Sequence, residues 1–243
     1  MIPQHLEAIF LDLDGTLLGY KDETMIELVF SLCAKHFPNH TEQFKHAFQL
    51  GVMFMHQQTS YEAPQYKSMW LAFVDKLQQV LGVSEDYCKA RFTNAFQSEE
   101  YNEIQNHAKL YHEQTAKLVK IARERNIKLV LATSPVFPQI AIERRIRWAG
   151  MQPEDFVLTT HFENMTCCKS VAYYKHLLDA VGCSLAPEKT MMVGNDNKYD
   201  MVASELGIKT WLINEWERSE RKHKIDHIGT LEEFVSTLEK QQQ

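Results

Sequence analysis

The chain has 243 residues, with 26 Lys and Arg against 32 Asp and Glu, for a net charge of −6. That length suits one large domain or a core with a smaller insert, and the acidic balance without a basic stripe argues against nucleic acid as a partner. No uninterrupted apolar stretch reaches bilayer-spanning length, and five cysteines without a CxxC pair point to a reducing cytosol and a cytoplasmic protein with no signal peptide.

The first predicted element is a buried strand over residues 8–13, an apolar run closed by Asp12-Leu13-Asp14-Gly15-Thr16. From Lys21 to about Leu110 apolar residues recur at helical spacing in four blocks. Met25 to Leu32 is the first, Phe44 to Met55 the second, Met69 to Leu81 the third, and Tyr87 to Ala95 a weaker fourth. Gly82 and Ser84 read as a helix stop and an N-cap between the last two. Short connections between amphipathic helices favour a helical bundle.

After Leu110 strands and helices alternate. Helices are expected over 111–125, 138–149, 171–181 and 199–206, and strands over 127–132, 156–160, 190–193 and 208–213. Such alternation gives a parallel sheet covered on both faces. The expected fold class is therefore α/β, with a discontinuous core (1–18 and 111–243) and an inserted all-α bundle (19–110) able to cap the site. The basic run Arg144-Arg145-x-Arg147 reads as a solvated helix face, Trp211 and Trp216 as packing residues, and the Gln241 to Gln243 tail as frayed. In the insert, His46, His56, Lys67, Arg91 and His107 read as solvated polar residues, and the aromatics and methionines as bundle core.

Chemistry concentrates at strand ends. Asp12 and Asp14 lie where parallel sheets place their ligands, and two nearby carboxylates need a cation or a proton between them. Thr133 and Ser134 close the second core strand with hydroxyls able to meet a phosphate oxygen, although Ser-Pro also starts turns. Lys169 precedes a helix whose N-terminus it opposes electrostatically, which favours an anionic partner there. The run Met191-Met192-Val193-Gly194-Asn195-Asp196 then carries a second acid, Asp200, four residues on. Together these acids form an oxygen-rich set suited to a hard cation such as Mg²⁺.

The order Asp-x-Asp-Gly-Thr, Thr, Lys, Asp…Asp resembles the motif series of the haloacid dehalogenase superfamily, in its phosphatase-like branch with a helical cap after the first motif. The resemblance implies a Rossmann-like core and a hydrolase of small phosphorylated metabolites. It implies Asp12 as nucleophile forming an aspartyl-phosphate and Asp14 as general acid and base. Thr133 (Ser134 being the neighbouring alternative) and Lys169 would hold the phosphate. Mg²⁺ would be held by Asp12, the Asp14 carbonyl and Asp196, with Asp200 orienting that shell. Ser170 stands where the family often has Pro, which leaves Lys175 as an alternative for Lys169. The family's dehalogenases lack an acid at the position of Asp14, and its ion pumps carry Lys there. A phosphomutase, a phosphonate hydrolase using a cap lysine, and a non-catalytic binding protein on the same core remain open, as do the natural substrate and oligomeric state.

Overall fold

The computed structural model describes residues 2–3, 5–184 and 186–241. In chain order the elements are β1 (Ala8–Leu11), β2 (Leu18–Gly19), α1 (Asp22–Lys35), α2 (Thr41–Gln57), α3 (Met69–Leu81), α4 (Glu85–Gln97), α5 (Glu99–Glu103) and β3 (Lys109–Leu110). These are followed by α6 (His112–Glu124), β4 (Lys128–Leu131), α7 (Gln139–Trp148), β5 (Leu158–Thr159), α8 (Val171–Val181), β6 (Thr190–Gly194), β7 (Lys209–Ile213), β8 (His227–Gly229) and α9 (Leu231–Lys240).

Six strands form one parallel sheet in the order β5-β4-β1-β6-β7-β8, a Rossmann-like α/β core. All four side chains of β1, Ala-Ile-Phe-Leu, are fully buried, as a central strand covered on both faces requires. Leu11 pairs with Leu131 of β4 and with Val193 of β6, so three adjacent strands end at one level. Asp12 makes the last rung, its N–H donating to the Val193 carbonyl at 2.9 Å. The chain then turns, because the Leu13 carbonyl accepts from the amides of Thr16, Leu17 and Leu18. This turn stops the strand two residues before its expected end.

Between β2 and β3 the chain runs through α1 to α5. The two short strands pair antiparallel, Leu18 with Leu110 and Gly19 with Lys109, so the helical stretch leaves and rejoins the sheet at one place. Its helices start and stop where capping dictates. Ser68 and Ser84 accept from the amides of Leu71 and Tyr87, and Gly82 ends α3 at φ 67°. Phe37, Phe44, Phe73 and Phe92 form its aromatic interior.

Two expectations need correcting beyond the shortened first strand. The expected helix over 199–206 is a six-residue 3-10 helix, Met201–Leu206, because Asp196 draws the amides of Lys198 and Tyr199 into its own turn before any helix can begin. The C-terminal pair β8 and α9 has no counterpart in the sequence reading, although Thr230 and Glu233 form a capping box that announces α9. Trp211 is buried against Phe234 of that helix. Gln241 is tied down, donating to the Ile2 carbonyl at 2.9 Å; Gln242 and Gln243 lie outside the described residues.

Candidate active site

The strand ends place the candidate residues together. Asp12 follows β1, Thr133 and Ser134 follow β4, Asp196 follows β6, and Lys169 sits just before α8. With Asp14, all of them line one cavity of about 330 Å³ at the C-terminal edge of the sheet. This is where open α/β sheets bind ligands.

Lys169 is the electrostatic hinge of the site. Its ammonium is almost wholly buried and donates to Asp12 Oδ1 at 2.7 Å and to Asp200 Oδ1 at 2.6 Å. Burial by itself would lower its pKa, but the two carboxylates outweigh burial and raise it above the usual lysine range. Burial moves the Asp200 carboxyl the other way, upward, with Lys169 opposing and Asp12 and Asp196 reinforcing. Ser170, next in the chain, caps α8 by accepting from Tyr173, which fixes the direction in which Lys169 leaves the backbone.

Asp200 does not line the cavity, but it shapes the residue that does. Its Oδ2 accepts from the Asp196 amide at 2.9 Å. Asp196 Oδ1 accepts from the amides of Lys198 and Tyr199. Its Oδ2 is buried and has no hydrogen-bond partner among the described residues, though Arg218 Nε lies 2.7 Å away as a charge partner. Arg218 reaches the cavity because its backbone is stitched to the loop after β6: its amide donates to the Asn195 carbonyl, and the Asn197 amide donates back to its own. Burial lowers the Arg218 pKa, and the charges of Asp12 and Asp14 oppose that shift.

Two glycines make these approaches possible. Gly15 holds φ +78°, and a Cβ there would stand 2.2 Å from Asn195 Nδ2. At Gly194 a Cβ would stand 2.2 Å from Asp200 Oδ2.

Asp14 is partnered on both carboxylate oxygens. The Tyr20 hydroxyl donates to Oδ1, and Arg145 Nη1 donates to Oδ2. Arg145 is fully buried on α7, over the Phe137 ring. The basic run 144–147 is therefore not a solvated face at its centre. Burial pushes the Arg145 pKa down, and the carboxylate of Asp14, with Tyr101 and Tyr20, outweighs it upward.

A hydrolase family model described as haloacid dehalogenase-like hydrolase matches residues 6–236. The chain belongs to the haloacid dehalogenase-like hydrolases. Solved structures share its fold. The L-2-haloacid dehalogenase of Xanthobacter autotrophicus superposes with a TM-score of 0.60 at 13% identity, covering 96% of this chain and 98% of that one. A predicted phosphoglycolate phosphatase from Haemophilus somnus 129PT gives 0.57 at 15% identity, covering 98% and 99%. CbbY from Rhodobacter sphaeroides, solved with phosphate, gives 0.57 at 15% identity, covering 92% and 93%. No curated protein matches the chain.

Within this hydrolase fold, Lys175, the alternative for Lys169, does not line the cavity: it is exposed and pairs with Glu62. Residues unforeseen from sequence also line the cavity. They are Val136, Phe137, Tyr199 and Arg218 from the core, and Met25, Ile26, Val29, Phe48, Gln49, Val52, Met53 and His56 from α1 and α2. His56 is thus not a solvated helix residue. Its ring lies 5.6 Å from that of Tyr199, and its Nδ1 is buried without a hydrogen-bond partner among the described residues. Burial, with Lys198 nearby, lowers its pKa.

Among the described residues no three His, Cys, Asp or Glu side chains form a metal-holding group. The expected Mg²⁺ set asks for less, namely two carboxylates and one backbone carbonyl. The Asp14 side chain is already engaged and would contribute only through its backbone. Asp196 Oδ2, buried and short of a hydrogen bond but already facing a cation, is the oxygen such an ion would use. The donors are all hard oxygens, so the residues fit Mg²⁺. No helix is long and apolar enough to cross a membrane, among the described residues.

Proposed function

We propose that this hydrolase is a Mg²⁺-dependent phosphatase of small phosphate monoesters, working through an aspartyl-phosphate on Asp12. The observation that carries the proposal is the shared cavity in which Asp12, held by a buried lysine, faces Thr133 and Asp196. A dianionic ester approaches a carboxylate nucleophile only if its charge is offset, and Lys169 supplies a fixed, buried positive charge for that purpose. Its bond to Oδ1 also orients the Asp12 carboxylate, leaving Oδ2 as the attacking atom. Thr133 would steady the phosphoryl oxygens, with Ser134 beside it. Its own position is fixed because its carbonyl accepts from the hydroxyls of Thr160 and Tyr173. Asp14, a carboxylate while Arg145 and Tyr20 hold it, would take up a proton from solvent on release from them, give that proton to the leaving alkoxide and later take one from water. Asp12, the Asp14 carbonyl and Asp196 would hold Mg²⁺, with Asp200 fixing Asp196 through its amide. The ion, when bound, adds charge neutralisation at the transferring group. Residues 19–110 would act as a cap over the cavity, with 1–18 and 111–243 as the catalytic core, in a cytoplasmic protein whose partner is its small phosphorylated substrate.

A cap lysine forming a Schiff base, as phosphonate hydrolysis needs, finds no support: among the described residues lining the cavity, Lys169 of the core is the only lysine. A second reading, hydrolytic dehalogenation, is favoured by one observation. Tyr20 and Arg145 occupy both Asp14 oxygens, and a halide leaving group needs no proton. Purified protein is expected to hydrolyse phenyl phosphate with Mg²⁺ and not with EDTA, and to lose turnover at least a thousandfold as Asp12→Asn with an unchanged circular dichroism spectrum. Chloride release from 2-chloropropionate without Mg²⁺, and no phosphate release, would establish the second reading instead.

A further inference from the structure

The cavity is divided by chemistry. Its floor, at the strand ends, carries every charged group. Its roof is built from α1, α2 and the loop after β4, and is apolar: Ile26, Val29, Phe48, Val52, Met53 and Phe137 face the space above Asp12. Gln49 and His56 interrupt that roof with polar atoms, and the Tyr199 ring packs beside His56 at its edge with one phenol hydroxyl. Burial and Lys198 favour the neutral His56 ring, with Asp196 opposing them.

Two further observations say that the roof is meant to be covered. Of the five large apolar side chains left exposed among the described residues, two are Ile26 and Met53, each at 52%. Both lie on this one cavity, while the helices that carry them bury their other faces in the aromatic interior. A volume of about 330 Å³ is near the lower limit of small-molecule sites, so a phosphate and one compact body fill it.

We propose, on the phosphatase reading above, that the substrate is a phosphate monoester with a compact apolar body, aryl or branched alkyl, and not a polyhydroxylated sugar phosphate or a nucleotide. The floor takes the phosphate, and the roof takes the carbon skeleton of the leaving alcohol or phenol. A sugar presents several hydroxyls to a wall that offers three neutral polar side chains, Gln49, His56 and Tyr199, and each hydroxyl stripped of water without a partner costs roughly 5- to 150-fold in affinity. An aryl or branched alkyl body loses nothing of that kind and covers the exposed faces of Ile26 and Met53. Gln49, His56 and Tyr199 would meet at most a few polar substituents.

The test is a steady-state comparison, with Mg²⁺ present, of phenyl phosphate and 3-methylbutyl phosphate against glucose 6-phosphate and ribose 5-phosphate. The expected result is a kcat/KM at least roughly tenfold higher for the two apolar esters. Equal or faster turnover of the sugar phosphates overturns this inference and leaves the phosphatase reading standing. No turnover of any ester overturns both. A second arm uses Ile26→Gln and Met53→Gln, surface-exposed changes whose folding is checked by melting temperature. Each is expected to raise KM for phenyl phosphate roughly three- to tenfold while leaving the inhibition constant of inorganic phosphate, which reads only the floor, within twofold. An unchanged KM in both variants shows that the body does not lie against this roof, and rejects the assignment.

Discussion

Arg145 and Asp14 form an ion pair between α7 and the turn after β1, with the guanidinium fully buried and the carboxylate partly exposed to the cavity. Tyr20 completes the carboxylate from its other side. The acid proposed to protonate the leaving group thus meets the shared cavity with both carboxylate oxygens already partnered. Removing the guanidinium strands a carboxylate in the interior, whereas keeping a cation there does not. Arg145→Met is therefore expected to cost about 3–5 kcal/mol, or roughly 6–20 °C in melting temperature for a chain of this size. Arg145→Lys should recover a good part of that loss. Thermal unfolding of the two variants checks it, and a wild-type melting temperature in Arg145→Met would contradict the structural role.

Lys169 neutralises two acids at once, so its loss is felt doubly. Lys169→Met leaves Asp12 and Asp200 facing each other without a cation, and about 3–5 kcal/mol of destabilisation is expected. The double variant Lys169→Met with Asp200→Asn should be more stable than Lys169→Met alone, because it removes one of the stranded charges. Urea unfolding of the three proteins measures this coupling.

Gly194→Ala tests the packing behind Asp196. The added methyl would meet Asp200 Oδ2 within bonding range, so the carboxylate must move and release the Asp196 amide. A loss of about 1–3 kcal/mol is expected from the unpaired amide, together with a fall in kcat of roughly tenfold or more as Asp196 loses its fixed orientation. Unfolding curves and kinetics on phenyl phosphate report the two effects separately.

His56 predicts a pH effect on stability. Its folded-state pKa is lowered from the ordinary 6.5, so below that value the unfolded chain binds a proton that the folded chain refuses. Stability is then undiminished above pH 6.5 and falls as pH drops from there through the lowered folded value. His56→Gln removes this contribution. The stability difference between pH 7 and pH 5 should be smaller in the variant than in the wild type, as read from urea midpoints at both values.

The parts of the molecule written in regular patterns were legible in the sequence. Met69–Leu81 and Val171–Val181 carry an apolar stripe, a serine cap and a glycine stop, and each is found between those marks. The convergence of the candidate residues was legible where a motif ends a strand, because β1, β4 and β6 are neighbours and bring Asp12, Thr133 and Asp196 to one edge. Arg145 was hidden by composition. Three arginines in four residues look alike, yet Arg145 shares the helical face of Ala141, Ile142 and Trp148, and that phase marks it as the inward one. Arg218 had no such mark. It lies in an aperiodic stretch after β7, and only backbone pairing with Asn195 and Asn197 carries it to the cavity. The roof was illegible for another reason: an apolar face turned to a cavity has the same spacing as one turned to a core.

The two-residue strands β2 and β3 have a mechanical consequence. Tyr20 follows β2 directly, so the residue that grips Asp14 also begins the tether to the helices. Were those helices to move about that narrow ribbon, the phenol would move with them. Cap position and the state of Asp14, as proposed above, would then be coupled through a single phenol.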